Sequence, residues 1–578
     1  MTNNPRIYLW IALLAMIYLN YDAWQRDYGP RPDVVTNTTR PANGGTASTP
    51  PASSDLANQI PQAPKEAAPA NGSGAGPTAA TPAAAAAVPG STTPPTAETA
   101  NAPVIHVRTD VLDMDISTRG GTLQRADLLK YPKVKGEATP VRLENVDDPQ
   151  TVYLLQSGLA GPQPTPTHVT LLTSDRTDYQ LGSANELRVP LTWTSEQGVK
   201  VTKTFVFRRG EYRADIDYDV ENQSQSPWTA ANYAQIFRND PRTKRSMFNV
   251  ETYAYHGPAM YEGKKYRKLD TSDRDDSHLS IDVTNGWIAA LQHHFVTAVV
   301  PPRDQPYHFT LNAAGDQYRL AAEQGRPQTV APGGSAKFGM VIFVGPKLQR
   351  QLKATGPDLA RVTDYGLLYV LAQPLFTVLD AVDSFFGNWG VAIILVTFLL
   401  KLAFYPLSEA SGRSMAKMKQ LQPRIKNLQE TYKDDAEKRG RAMMELYQRE
   451  KINPIAGCLP IIIQIPVFLA FYWVLLESVE MRQAPFAFWI HDLSSRDPLF
   501  VLPAIMAAAM FTQYKLNPAP PDPVQAKVFM FMPLVMSFMF AFFPAGLVLY
   551  WVTNTVLSIA QQWNINRRIA AADAKKKT

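Results

Sequence analysis

Hydrophobic and polar positions follow one another along this chain in successive regimes, and each regime predicts a different kind of element. The run RIYLWIALLAMIYLNY, Arg6–Tyr21, is apolar behind a single arginine, and no small-residue cleavage site follows it. It reads as an uncleaved signal-anchor over 1–24, with Trp10, Tyr21 and Trp24 as interfacial aromatics. Residues 25–102 are dominated by Pro, Ala, Thr, Ser, Gly and Asn. Such a segment cannot bury enough apolar surface to offset its ordering entropy, so a disordered linker is predicted. Over 103–360 the period becomes two. Val199, Val201, Lys203, Phe205 and Phe207 alternate with polar neighbours, Arg209-Gly210 marks a turn, and Tyr212, Ala214, Ile216, Tyr218 and Val220 resume the alternation. That is a β-hairpin, and similar strands are predicted around Val111–Ile116, Trp287–Val300 and Phe338–Val344. The expected unit is a large all-β domain, a sandwich or an elaborated relative.

Beyond Gly345-Pro346 the pattern is that of a membrane α-helical bundle over 388–566. Apolar runs occupy Trp389–Leu407, Ile455–Leu476, Leu499–Tyr514, Val528–Phe543 and Leu547–Trp563, the last two joined by the turn residues Pro544-Ala545-Gly546. Together with the anchor this makes six spans. A further apolar run, Tyr365–Phe386 within 361–387, carries Pro374, Asp380 and Asp383. Charge decides its place. Segment 408–453, two helical stretches around Asp434-Asp435, carries eleven lysines and arginines from Arg413 to Lys451, and the tail 567–578 adds Arg567, Arg568, Lys575, Lys576 and Lys577. Short basic segments stay cytoplasmic, so both are expected inside and the β domain outside. Counting Tyr365–Phe386 as a span would put the basic segment outside, so it is read as an amphipathic helix along the outer interface.

Within that frame one charge needs a reason. Lys401 lies in GVAIILVTFLLKLAFYPL, and a charge near a bilayer centre costs at least ~2.5–3.5 kcal/mol even on the most forgiving scale. Thr397, Lys401, Tyr405 and Ser408 are spaced four, four and three apart, which makes one polar stripe on an otherwise apolar helix. Gln464, Gln513, and the helically spaced Trp551, Asn554 and Ser558 add polar groups to other spans. Singly, each has a plain reading as interhelical packing glue, and Lys401 could snorkel to the inner interface. Together they suggest a hydrophilic groove carried into the membrane.

The net charge of +6, 57 basic against 51 acidic residues, matters by location more than by size. The single cysteine, Cys458, excludes an intrachain disulfide and reads as a small buried residue. No Gly-Lys-Ser/Thr phosphate loop, His-Glu-x-x-His or Gly-x-Ser-x-Gly is present, so an enzyme and nucleotide-driven transport are disfavoured. His293-His294, read as strand neighbours, would point to opposite faces and share no metal; no cofactor or metal is expected. Met415, Met418, Met443 and Met444 suit either adaptable contacts or simple packing between two helices. The basic segment and tail suit either a solvated face or a surface for ribosomal RNA or anionic lipid, with no aromatic interleaving for sequence-specific nucleic acid. A solute transporter coupled through Lys401, and a scaffold for other complexes, remain open at this point.

The stretches SMAKMKQLQPRIKNLQETY, KINPIAGCLPIIIQIPVFLAFYWVL, SVEMRQAPFAFWIHDLSSRDP and FFPAGLVLYWVTNTVLSIAQQW resemble the YidC/Oxa-type membrane protein insertases, continuously from about Tyr365 to Arg568. The anchor, linker and β domain are similar in layout to Gram-negative members. The resemblance implies a five-span core behind an N-terminal anchor, a periplasmic β-supersandwich, and a positively charged groove open to cytoplasm and lipid. It implies nascent membrane proteins as substrates, and the Sec translocon with its accessory subunits, the ribosome and membrane lipids as partners, in the bacterial inner membrane. Lys401, Thr397, Gln464, Gln513 and Trp551 match substrate-contacting or polar groove positions. The charged position is usually Arg in the family; Lys401 keeps the charge without the planar donor fork.

Overall fold

The computed structural model describes residues 102–241, 254–433, 435–450, 459–516 and 523–577. The expected anchor, the linker as far as residue 101, and Cys458 lie outside the described residues. Among them, Val104–Pro346 forms two almost wholly antiparallel sheets, of eleven and eight strands, that share one core. The expected hairpin is there: strands Val199–Arg208 and Arg213–Asn222 pair antiparallel, with Val201 opposite Val220 and Phe205 opposite Ile216. Gly210 supplies the left-handed residue of its turn at φ +75°. The inward set includes one cation. Lys203 is 2% exposed and donates to the carbonyl oxygens of Gly120 (2.7 Å), Ser157 (3.0 Å) and Gly121 (3.3 Å). Burial pushes its ammonium down from the usual 10.5 to about 7. In the eight-stranded sheet the final strand, Ser335–Pro346, lies mid-sheet between Arg213–Asn222 and Phe295–Val300.

The reading of His293-His294 as strand residues is corrected. The two occupy the turn between strands Trp287–Leu291 and Phe295–Val300, where no alternation applies. Their rings stack with centroids 3.7 Å apart, and both Nε2 atoms donate to the carbonyl oxygen of Leu476, at 3.1 and 3.2 Å.

Helix α1 (Gln349–Thr355) leads out of the β domain, and α2 (Tyr369–Phe386) follows. Ala372, Phe376 and Leu379 recur at helical spacing on its buried face, while Val370 and Phe385 point outward. Gly387, at φ +64°, caps α2 by donating to Asp383, and Asn388 caps α3 (Trp389–Ala403) by accepting from Val391 at 3.1 Å. The chain bends by 60° before α4 (Tyr405–Thr431), so the expected span Trp389–Leu407 breaks at Phe404, just ahead of Pro406. Helix α5 (Ala436–Arg449) folds back on α4 around Leu421 and Ile425, with Met418 and Met443 in that small core. For those two methionines the plain packing reading holds.

The rest of the bundle is α6 (Leu459–Glu477), α7 (Val501–Leu516), α8 (Pro523–Phe540) and α9 (Ala545–Lys577). They share a second apolar core with α2 and α3. Among the described residues, Gly366–Phe386 is long and apolar enough to cross a membrane unbroken, and Trp389–Ala403 with Tyr405–Ser414 qualifies as a bent pair. Ile463–Glu477 and Lys527–Phe540 are apolar but shorter. Helix α9 has the length, but Asn554, Ser558, Gln561 and Gln562 dilute its apolar run.

The β domain is joined to the bundle by more than the chain. Besides the two histidines on Leu476, Gln349 N–H donates to Glu480 Oε1 (3.2 Å), and Arg482 donates to the carbonyls of Pro132 (3.1 Å) and Lys133 (3.2 Å). Lys347 is buried there; burial lowers its ammonium to about 8, partly offset by the nearby Glu477. Burial also raises the Glu480 carboxyl to about 7.

Candidate functional site

The polar residues of the bundle meet where α3, α6 and α9 converge. Lys401 stands on the last turn of α3 and is half-buried. Its Nζ donates to Ser558 Oγ of α9 at 2.7 Å, and no carboxylate pairs with it among the described residues. Ser558 Oγ in turn donates to the carbonyl oxygen of Asn554, one turn back, at 2.7 Å. The Asn554 side chain accepts from Gln464 Nε2 of α6 at 3.0 Å. One stripe of α9 therefore ties a cation from α3 and an amide from α6.

An aromatic wall lies toward the start of α9. Trp551 meets Phe468 edge-on with centroids 4.6 Å apart and tilts against Phe540 at 5.2 Å. Tyr550, next to it, is fully buried and stacks on Phe471 at 4.4 Å. Past Lys401 the stripe continues into α4, where Asn564 Nδ2 donates to Tyr405 Oη at 3.3 Å and Ser408 Oγ donates to Phe404 O.

Lys401, Gln464 and Trp551 are thus brought to neighbouring positions through α9. Thr397 is not part of the hydrogen-bonded set: it is 1% exposed, and its hydroxyl is spent on the Ile393 carbonyl at 2.6 Å, within its own helix. Gln513 is half-buried on α7 and makes no hydrogen bond to the Lys401 set. Asn554 and Ser558 carry more of the geometry than their sequence reading as packing glue suggested. Their spacing of four was the available signal; which helices they face was not.

Chemically the arrangement offers an uncompensated positive charge, amide and hydroxyl groups, and an aromatic edge inside an apolar bundle. Elsewhere on the same bundle, side chains such as Val535 and Phe538 on α8, and Leu402 on α3, are exposed. An apolar helix could slide along such faces while a polar or acidic segment is held at the charge.

Two family profiles account for almost all of the described chain. One, described as YidC periplasmic domain, matches residues 104–378; the other, described as 60Kd inner membrane protein, matches 381–573. The membrane protein insertase YidC of Thioalkalivibrio sulfidiphilus is 44% identical over 589 residues, covering 99% of this chain and 100% of that protein. That of Nitrosococcus oceani is 42% identical over 579 residues, covering 98% and 99%. Among solved structures, an active YidC insertase with its first transmembrane domain resolved aligns over 79% of this chain and 94% of its own, at 19% identity and TM-score 0.35. A galactose mutarotase related enzyme from Lactobacillus acidophilus aligns over 42% of this chain and 97% of its own, at 9% identity and TM-score 0.31.

Proposed function

We propose, from the premise that this chain belongs to the YidC family of membrane protein insertases, that Lys401 and the polar groups around it receive the segment of a nascent membrane protein that has to cross the bilayer. The chain is a membrane protein insertase of the inner membrane. The observation that carries the site reading is the Lys401 charge, which lies among membrane helices with no carboxylate to cancel it among the described residues.

The basic α4–α5 hairpin and the tail lie in the cytoplasm on this reading, and the β domain in the periplasm. Helix α2 lies along the outer interface although its length would let it cross. Tyr365, just before it, reaches Ser478 beyond the end of α6 (3.3 Å), while Asp380 and Ser384 near its far end hold Arg350 of α1. Both ends are thus tied to groups on the β-domain side, which suits a helix lying flat.

Insertion then needs no bond made or broken. A substrate's acidic translocated residues are drawn to Lys401, Gln464 and Trp551 give further polar and aromatic contact, and Thr397 forms the wall behind them. Gln513 extends the polar lining toward the cytoplasmic end. Helix α7, with 16 residues, spans about 24 Å at ~1.5 Å per residue, against a hydrocarbon core of about 30 Å. Short helices thin the bilayer locally and shorten the crossing. Transfer of the substrate's apolar span from water to lipid, at ~25 cal/mol per Å², drives release without nucleotide. The basic hairpin and tail suit the ribosome and anionic headgroups, and the β domain suits the Sec translocon and its accessory subunits.

The test is insertion by the reconstituted full chain. Lys401→Ala is expected to lower insertion of substrates with acidic outward segments about tenfold, a loss of ~1.4 kcal/mol, with Lys401→Arg near normal. Unchanged insertion of such substrates by both Lys401→Ala and Lys401→Glu would remove the charge from the mechanism.

A further inference from the structure

We infer that Ser558 is a positioning residue for the Lys401 ammonium, holding it in the groove as an undiminished positive charge; this rests on reading Lys401 as the receiver of acidic substrate segments. A lysine on the last turn of an apolar helix ordinarily runs its four-carbon stem toward the nearest water. Here Nζ is drawn sideways from α3 to α9, to Ser558 Oγ at 2.7 Å. Ser558 has a single proton, and that proton is given to the Asn554 carbonyl oxygen at 2.7 Å. Only the hydroxyl lone pairs remain to face Lys401, so the dipole has one orientation, negative end toward the cation. Asn554 is itself held by Gln464 from α6, which fixes the stretch of α9 that carries Ser558.

The choice of group matters. A carboxylate at this position would grip Nζ harder and cancel its charge, while a methyl would leave the stem free to snorkel out of the groove. A hydroxyl whose proton is committed elsewhere holds the ammonium and leaves its charge intact. Of the three N–H groups on Nζ, one goes to Ser558 and two remain for a substrate carboxylate. Ser558 therefore acts on the preference for acidic translocated segments, through the Lys401 charge it holds.

The experiment compares two single-span substrates, identical except that the outward segment is acidic in one and neutral in the other, with the full chain in vesicles. Ser558→Ala is expected to lower insertion of the acidic substrate about tenfold relative to the neutral one, the scale of one hydrogen bond to a charged group. Ser558→Thr, which keeps the hydroxyl, restores the preference. In a Lys401→Ala background, Ser558→Ala changes nothing further, because Ser558 acts only through Lys401. Equal losses for both substrates, or a full additional loss in the Lys401→Ala background, would overturn the inference. If Lys401→Ala itself does not discriminate the two substrates, the groove-charge reading falls with it; if Lys401→Ala discriminates and Ser558→Ala does not, only the role of Ser558 falls.

Discussion

Lys203 and Lys401 are both lysines turned away from bulk water, and they meet that condition by opposite means. Lys203 is enclosed by three backbone carbonyls and lies over the rings of Phe205 and Tyr218, at 5.1 and 5.6 Å. Its donors are used up where it lies, which makes it a fastener between the two sheets. Lys401 spends one donor and keeps its charge available. The period-two pattern placed Lys203 on the inward face, and the helical stripe singled out Lys401. Neither pattern names a partner, because spacing speaks only for residues of the same element. Lys203→Met is expected to destabilise the β domain by about 1–3 kcal/mol, since it leaves the three carbonyls without their donor. The pH dependence has a definite sign. The folded ammonium titrates near 7 and the unfolded one near 10.5, so the unfolded chain binds the extra proton between those values. Stability gains from Lys203 as pH rises from 7 toward 10.5, and that gain is gone once pH has fallen to 7, below which both states carry the proton. Thermal unfolding of the full chain in detergent, followed at the β-sheet signal, should show that rise in the parent and its absence in Lys203→Met.

At the level of elements, local chemistry was readable and breaks in regularity were less so. Gly387-Asn388 between α2 and α3, and Pro544 immediately before Ala545-Gly546, which open α9, act as stop and start signals. The break at Phe404 was hidden because apolar residues continue across it on both sides, and only Pro406 hinted at a new helix. The His293-His294 turn was missed for the same reason: flanking strands made the whole of Trp287–Val300 look continuous. Close packing at the start of α3 was equally invisible. Gly390 faces Phe486, and a Cβ there would lie 2.0 Å from the ring and 2.7 Å from Phe486 Cβ, so the clash is not relieved by a ring rotation alone. Gly390→Ala should therefore cost about 1–3 kcal/mol and lower the unfolding temperature of the bundle in detergent, where Gly412→Ala, nearest a methyl of Ile565 at 2.9 Å, should cost less.

Over the whole molecule, the division into a β domain and a helical bundle was legible from the change of period near Pro346, whereas the firm joint between them was not. That joint is made by residues 131 to 350 positions apart, His293 and Leu476 at 183 among them, and no local pattern reports such pairs. The joint should loosen in acid. Burial and neighbouring cations keep the His293 imidazole well below its usual 6.5 and that of His294 at about 3, so the separated state takes up these protons first. Their contribution is intact above 6.5 and is lost as pH falls toward 3; Glu480, raised to about 7, works in the opposite sense over 4.5–7. Hydrogen exchange around residues 292–295 and 478–482, corrected for intrinsic rates, is expected to quicken between pH 6.5 and 4. His294→Gln, which keeps a donor without titrating, should flatten that response.

The place of Ser335–Pro346 in its sheet also sets an order of birth. The ribosome delivers this strand last, yet it lies between Arg213–Asn222 and Phe295–Val300. Until it arrives, the sheet exists as two half-sheets, each with a bare edge of backbone open to stray pairing. The residues that follow at once are those of α1 and α2, so closing the sheet and setting out the first helices of the bundle become successive moments of one act of synthesis, with a newborn chain most vulnerable just before it.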